Sequence, residues 1–173
     1  RLPAYTTIRN TIRATSSSEL ESQFRAYSRS HLASQTTLQR IGFDGKVVRG
    51  SFDHFKDQKA IQVLSAFVDG SFLILAHEEI AAKTNEIPTA QALIQKLGLS
   101  NSLFTFDALH CQHETLKTAK DTANEVVVQV KGNQATLFND ANTITGSQMP
   151  DAVYREPLTK TRNRLEQRQV EVF

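Results

Sequence analysis

Residues 60–77, AIQVLSAFVDGSFLILAH, contain the strongest structural signal in the sequence. The residues before Asp69 alternate with a period of two, which is typical of a β-strand with one buried face. A second apolar run follows the Gly. Asp and Gly both tolerate a positive φ angle, so Asp69-Gly70 is well suited to a tight turn between antiparallel strands. The stretch therefore predicts a β-hairpin with strands over residues 60–68 and 71–77.

The flanking segments place further strands and helices around this hairpin. A period of two over residues 38–44 predicts a strand before it. After the hairpin the pattern predicts a helix over residues 87–97 and a short apolar strand over 103–107. A second helix over 111–123 and a valine-rich strand over 125–130 follow. The resulting order is that of an α/β protein with an RNase H-like fold, a mixed sheet flanked by helices.

The two ends of the chain suggest a division into domains. Residues 1–37 have helical periodicity and predict an N-terminal helical segment, and residues 38–173 would then form the RNase H-like core. Residues 134–160 predict irregular chain with a short helix near 135–141, and residues 162–173 alternate like a strand. Since the sequence begins without Met and stops inside this alternating run, we expect the C-terminal part of the core to be truncated.

The composition of the 173 residues is that of an ordinary globular protein. Hydrophobic residues make up 39% and charged residues 22%, with a mean hydropathy of −0.36, which excludes wholesale disorder. The longest apolar run, residues 72–76, is far shorter than the ~20 residues of a membrane helix. The single cysteine, Cys111, excludes an internal disulfide. These features predict a cytoplasmic protein without a membrane partner.

Positive charge is concentrated towards the two ends. The net charge is only +2, but residues 1–40 contain six Arg and two Glu, and residues 155–168 contain five basic and two acidic residues. Basic ends could bind a phosphate backbone. They could equally be the solvated faces of ordinary helices, so charge alone leaves nucleic-acid binding open.

Two aspartates end predicted strands. Asp44 is the last residue of the first strand and Asp107 the last residue of the short apolar strand. If these strands are neighbours, both carboxylates emerge side by side, and a divalent cation such as Mg²⁺ or Mn²⁺ would neutralise their repulsion. A pair of such ions could activate a nucleophilic oxygen and stabilise a leaving oxygen at phosphorus. The alternative for Asp44-Gly45 is a simple turn, whereas the residues after Asp107 are not typical of a turn.

Other chemistries are weakly indicated. His110, Cys111 and His113 could ligate zinc, but a second ligand cluster is missing from the sequence. Cys111 has no identifiable base for nucleophilic catalysis. Residues 131–134, KGNQ, lack the glycine spacing of a phosphate-binding P-loop.

Six short motifs, in order, resemble the H-repeat-associated family of bacterial insertion-sequence transposases, within the DDE group. They cover nearly the whole chain and are Leu2–Arg9, Asp44–Ser51, Val63–Phe67, Lys83–Ile87, Phe106–Ala108 with Cys111-Gln112, and Lys131–Gln134. The resemblance implies an enzyme with an RNase H-like core that cleaves phosphodiesters at transposon ends and transfers the 3′-hydroxyls to target DNA.

The resemblance also implies roles for single residues. Asp44, in Asp-Gly-Lys-x-x-Arg-Gly-Ser, and Asp107, in Asp-Ala-x-x-Cys-Gln, match the first and second acids of the family's catalytic triad. The implied cofactor is Mg²⁺ or Mn²⁺, and the implied partners are double-stranded DNA and a second copy of the chain in a homodimer. We expect Lys46, Arg49 and Lys131 to contact phosphates, which positions DNA without reading its sequence.

The third acid of the triad is the point where the sequence departs from the family. Glu166 resembles the acid of a family segment reading His-Gly-Arg-Ile-Glu-x-Arg, with Arg-Asn here in place of His-Gly. A later helical motif, His-Trp-x-Ile-Glu-Asn, suits the role better, but the sequence has no Trp. We therefore predict that the third carboxylate is missing. Two alternatives follow: an inactive remnant that binds DNA or a partner at most, and an RNase H-like nuclease that does not transpose.

Overall fold

The computed structural model describes residues 2–32, 38–48, 51, 60–71, 73–80, 85–161 and 164–173. The chain forms two compact units, the first ending at Gln129 and the second beginning at Val130. The division predicted after residue 37 stays a prediction.

A five-stranded mixed sheet forms the centre of the first unit. Its strands are β1 (Gln39–Val47), β2 (Gln62–Val68), β3 (Ile74–Ile80), β4 (Ser102–Phe106) and β5 (Glu125–Val128). Their spatial order is β3-β2-β1-β4-β5. The first three strands are antiparallel, whereas β4 and β5 run parallel to β1. This confirms the predicted RNase H-like mixed sheet.

The described residues of the first unit also form four α-helices, which are α1 (Tyr5–Ala14), α2 (Ser17–Leu32), α3 (Glu86–Leu97) and α4 (His113–Asp121). Helix α3 begins after Asn85, whose side chain accepts a hydrogen bond from the N–H of Ile87, and ends at Gly98 in the left-handed conformation, with φ 59°. Leu93 and Ile94 of α3 are fully buried with Ile41 and Phe104 of the sheet. The core therefore lies between α3 and one face of the sheet.

Helix α2 lies against β3, the outer strand of the sheet. The buried hydroxyl of Ser28 donates to the carbonyl of Ile74 at 2.8 Å. Arg25 donates to the carbonyl of His77 and pairs with Glu78 at 3.3 Å, and Glu21 accepts from the N–H of His77. These contacts cover backbone groups of an outer strand, which would otherwise be open to another chain.

Helix α5 (Ala135–Ser147) belongs to the second unit, which also holds two antiparallel strand pairs. Strand β6 (Ala152–Arg155) pairs with β9 (Gln169–Val172), and β7 (Thr159–Thr161) pairs with β8 (Arg164–Glu166). The prediction of irregular chain over 134–160 is wrong, because α5 continues beyond residue 141 and two strands follow it. The strand predicted at the end of the chain is confirmed as β8 and β9.

Three predicted boundaries in the first unit need correction. Strand β1 continues to Val47, because residues 44–47 pair with residues 62–65 of β2, so neither the end of the strand at Asp44 nor the Asp44-Gly45 turn is correct. The connection from β2 to β3 is longer than two residues, because the N–H of Val68 bonds to the carbonyl of Leu73. Helix α4 begins only after a separate 3-10 turn.

Within the described residues, no helix is both long enough and apolar enough to cross a membrane.

Candidate active site

Two aspartates lie at the same level on neighbouring parallel strands. The last paired residues of β1 and β4 are Gly42 and Thr105. Asp44 and Asp107 each come two residues later, and the backbone of Asp107 is still extended, with φ −74° and ψ 176°. Because residues two apart in a strand share a face, Asp44 and Asp107 continue the face that carries Gly42 and Thr105. Strands β1 and β4 are thus neighbours, which is the condition for the two carboxylates to emerge side by side.

Buried phenylalanines before each aspartate direct both carboxylates away from the core. Phe43 and Phe106 are buried, and their rings stack with 4.5 Å between centroids. Phe104 packs edge-on against both rings. Since successive side chains of a strand point to opposite faces, these rings place Asp44 and Asp107 on the other face, where both residues are exposed.

Asp44 is paired with a lysine of its own strand. The Nζ atom of Lys46 lies 3.0 Å from Oδ2 of Asp44, and both side chains are largely exposed. Solvent screens such a pair, so its contribution to stability is small. In the structure the carboxylate of Asp44 is therefore paired with the ammonium group of Lys46.

Asp107 begins a turn that follows β4, so the expectation that the residues after it do not form a turn is wrong. Its Oδ1 accepts a hydrogen bond from the N–H of Leu109 at 3.1 Å, and one 3-10 turn follows over Ala108–His110. Aspartate side chains commonly cap turns in this way. The bond uses one carboxylate oxygen and fixes the direction of the group relative to the strand.

The donor set suits a hard divalent cation. Magnesium is commonly held by one or two carboxylates, with water and substrate phosphates as its remaining ligands. Across the described part of the chain, no group of three His, Cys, Asp or Glu side chains could hold a metal ion. Two carboxylates such as those of Asp44 and Asp107 are the kind of donor that a cation with water and phosphate as its other ligands would need.

Glu86 and His110 form a contact that the sequence motifs did not reveal. Glu86 is the first residue of α3, and its Oε1 lies 3.1 Å from Nε2 of His110. His110 is only 1% exposed. A signal was present in the sequence, because Glu86 lies in the Lys83–Ile87 motif and His110 follows Asp107 by three residues. Nothing in either motif indicated that the two residues would meet.

The potential zinc ligands near α4 do not converge. The ring of His110 faces Glu86, whereas His113 is exposed and lies beside Glu114 at 3.0 Å. Cys111 is buried between them in the chain. The described side chains therefore offer no zinc site here.

None of the other predicted site residues is a described residue of the first unit. Arg49 lies outside the described residues, and Lys131 and Glu166 belong to the second unit. Lys131 is exposed, and its carbonyl accepts a hydrogen bond from the N–H of Gln134 at 2.9 Å. Glu166 ends β8 and lies 4.0 Å from the guanidinium of Arg168. Their roles in phosphate and metal binding stay predictions.

Sequence relatives of the chain carry transposase names. The chain is 38% identical over 99 residues to "Putative transposase YncI" of Escherichia coli strain K12, which covers 57% of this chain and 40% of that protein. It is 31% identical over 97 residues to "H repeat-associated putative transposase YhhI" of the same strain, covering 56% of this chain and 26% of that protein. The chain thus spans less than half the length of these curated relatives. They confirm the resemblance to the H-repeat-associated transposases.

No protein-family model matches the chain. Among solved structures, a piggyBac transposase synaptic complex with hairpin DNA matches with a TM-score of 0.44 and 14% identity, covering 67% of this chain and 28% of that chain. The Mos1 transposase paired-end complex with the left transposon end matches with a TM-score of 0.34 and 10% identity, covering 74% and 54%. The fold class rests on the strand order of the sheet itself.

Proposed function

We propose that this chain carries the metal-binding core of a DNA transposase, which cleaves phosphodiesters at transposon ends and transfers the freed 3′-hydroxyls to target DNA. The observation that carries the proposal is the common level and common face of Asp44 and Asp107 on adjacent parallel strands. The transposase names of the relatives support the same class of reaction.

In the proposed mechanism Asp44 and Asp107 bind Mg²⁺ or Mn²⁺ through their exposed carboxylates. When bound, such a cation would supply charge stabilisation at the phosphate and activation of a nucleophilic oxygen. Lys46, whose Nζ atom lies 3.0 Å from Oδ2 of Asp44, would contact a DNA phosphate beside the two carboxylates. Arg49 and Lys131 bind further phosphates along the backbone, which orients the DNA without selecting its sequence. Two copies of the chain hold the two transposon ends.

The first test is a Mn²⁺ titration followed by thermal unfolding. Binding to the folded state alone stabilises it by about 2.7 kcal/mol at a hundredfold excess over Kd. We expect a rise in melting temperature for the wild type that is lost in Asp44→Asn and in Asp107→Asn. Asp121→Asn, at the exposed end of α4, is the matched control and should keep the rise. A rise that persists in both site variants would contradict the proposal.

A nicking assay separates the enzyme from its inactive alternative. The alternative is motivated by the lack, within the described residues, of a third acid beside Asp44 and Asp107. Nicking of supercoiled plasmid DNA by the chain in Mn²⁺, abolished in Asp107→Asn, would rule out the inactive alternative. Mn²⁺ binding without nicking would instead favour a remnant that binds DNA but does not cleave it. Nicking without preference for transposon-end DNA over random DNA would favour a general nuclease.

A further inference from the structure

Glu86 contacts the turn that carries Asp107. Its Oε1 lies 3.1 Å from Nε2 of His110, a side chain that is 98% buried. The backbone N–H of His110 donates to the carbonyl of Asp107 at 3.2 Å, and its ring packs against Phe106 with 5.3 Å between centroids. The position of His110 is therefore coupled to the Phe106 ring and to the backbone of Asp107, so a movement of His110 would also move Asp107.

Glu86 also contacts the strand that carries Asp44. A Cβ atom at Gly45 would lie 2.5 Å and 2.8 Å from the two carboxylate oxygens of Glu86. The glycine therefore leaves the space that this carboxylate occupies, directly after Asp44 in β1. A single side chain at the start of α3 thus lies between the segments that follow the two aspartates.

The Glu86–His110 contact also indicates where the imidazole proton lies. The Nδ1 atom of His110 is buried and has no hydrogen-bond partner among the described residues. A proton on Nδ1 would be a buried donor without an acceptor, which is costly. Nε2 is therefore the nitrogen that carries the proton, and it donates to Oε1 of Glu86. The contact needs an acceptor oxygen at residue 86, and a neutral amide can supply one.

From these contacts we infer that Glu86 is a positioning residue, which sets the Asp107 turn against the end of the Asp44 strand through His110 and Gly45. The inference rests on the proposed function, since the consequence of the positioning is metal binding by the two aspartates. Glu86 itself is not a ligand in this scheme, in keeping with the lack of a three-ligand cluster among the described residues. Side chains that orient metal ligands typically change metal affinity 10- to 100-fold when they are removed.

The variants distinguish three possible roles of Glu86, which are a hydrogen-bond acceptor for His110, a negative charge, and a general contribution to stability. Glu86→Gln keeps an acceptor oxygen for His110, whereas Glu86→Ala removes it. Gly45→Ala leaves Glu86 intact but places a methyl group against its carboxylate. Glu114→Ala alters the exposed His113–Glu114 pair, whose 3.0 Å separation matches the buried contact. Ser28→Ala removes a buried hydrogen bond at α2 and serves as the control for lost stability.

Amide hydrogen exchange of the metal-free protein tests the structural link by itself. We expect exchange at residues 109–111 to become roughly tenfold faster in Glu86→Ala and in Gly45→Ala, and to stay near the wild-type rate in Glu86→Gln, Glu114→Ala and Ser28→Ala. The double variant Gly45→Ala/Glu86→Ala should be no faster than Glu86→Ala, because the methyl group acts by displacing a carboxylate that is no longer there. Unchanged exchange in Glu86→Ala would overturn the inference, whatever the protein does with metal.

Mn²⁺ titration then tests the consequence. We expect a Kd about tenfold or more weaker for Glu86→Ala, a Kd within about threefold of wild type for Glu86→Gln, and an unchanged Kd for Ser28→Ala despite its lower melting temperature. An unchanged Kd in Glu86→Ala, with binding lost in Asp44→Asn and Asp107→Asn, would overturn the inference and leave the proposed function standing. A wild type that binds no Mn²⁺ would contradict the proposed function. The exchange rates of the metal-free protein would then alone test whether Glu86 positions the turn after Asp107.

Discussion

Replacing Gly42 by alanine should destabilise the sheet next to the candidate active site, although alanine is normally the better residue in a strand. Gly42 pairs with Phe67 across β1 and β2. A Cβ atom at Gly42 would lie 2.6, 3.0 and 3.1 Å from three atoms of the Phe67 ring. The ring therefore occupies the space of the missing side chain, on the face of β1 that also carries Asp44.

The expected magnitude follows from two opposing effects. Overpacking a folded interior typically costs about 1–3 kcal/mol. Alanine is otherwise favoured over glycine within a strand by about 0.5–1 kcal/mol, because glycine loses more backbone freedom on folding. The net change for Gly42→Ala is then a loss of about 1–2 kcal/mol in the free energy of unfolding. In a Phe67→Ala background the ring is gone, and the same substitution should stabilise by about 0.5–1 kcal/mol.

Urea unfolding followed by far-ultraviolet circular dichroism would measure all four members of this double-mutant cycle. The distinctive expectation is the change of sign between the two backgrounds, with a coupling energy of about 2 kcal/mol. If Gly42→Ala has the same effect with and without the Phe67 ring, the reasoning from the ring contact is refuted.

Two further predictions concern the connections at the other end of β4 and β5. Ala123 has a φ angle of 58°, so Ala123→Gly should raise the free energy of unfolding by about 0.5–1 kcal/mol in urea titrations, whereas Ala119→Gly within α4 should lower it. Asn124 is 5% exposed and bonds to the N–H of Ser102 and the carbonyl of Leu99, so Asn124→Ala should cost about 2–3 kcal/mol in the same assay. The exposed Asn10→Ala should stay within about 0.5 kcal/mol of wild type, and an equal effect of both asparagine changes would contradict the role given to Asn124.

Much of the first unit could be predicted from local pattern, because its elements follow strong rules. The alternation before Asp69-Gly70 predicted β2, and Gly98 predicted the end of α3 within a residue. Helix α5 was predicted too short because its last six residues, 142–147 (NTITGS), have low helix propensity and resemble a loop. The extent of β1 was missed because Gly45 resembles a turn residue, whereas its pairing with Leu64 keeps it in the strand.

The candidate site was predicted in part. Asp44 and Asp107 were candidates because each ends a predicted strand, but a simple turn was an alternative at Asp44, and the motif resemblance selected the same two residues. The contact between Glu86 and His110 could not be predicted, since 24 residues separate them and no helix or strand periodicity relates the two positions. Their meeting depends on where the first turn of α3 lies after the helix has packed on the sheet.

The sequence by itself determined the order of the main strands and helices and singled out the two acids as candidates. These properties depend on periods of two and 3.6 residues and on turn and cap residues, all of which are local. Tertiary structure alone decided that β1 and β4 are neighbours, that Asp44 and Asp107 lie at one level, and that Glu86 meets His110 and Gly45. Such contacts join residues far apart in the chain. The packing of Phe43, Phe104 and Phe106 on one another in the core favours one register among those that the local pattern allows.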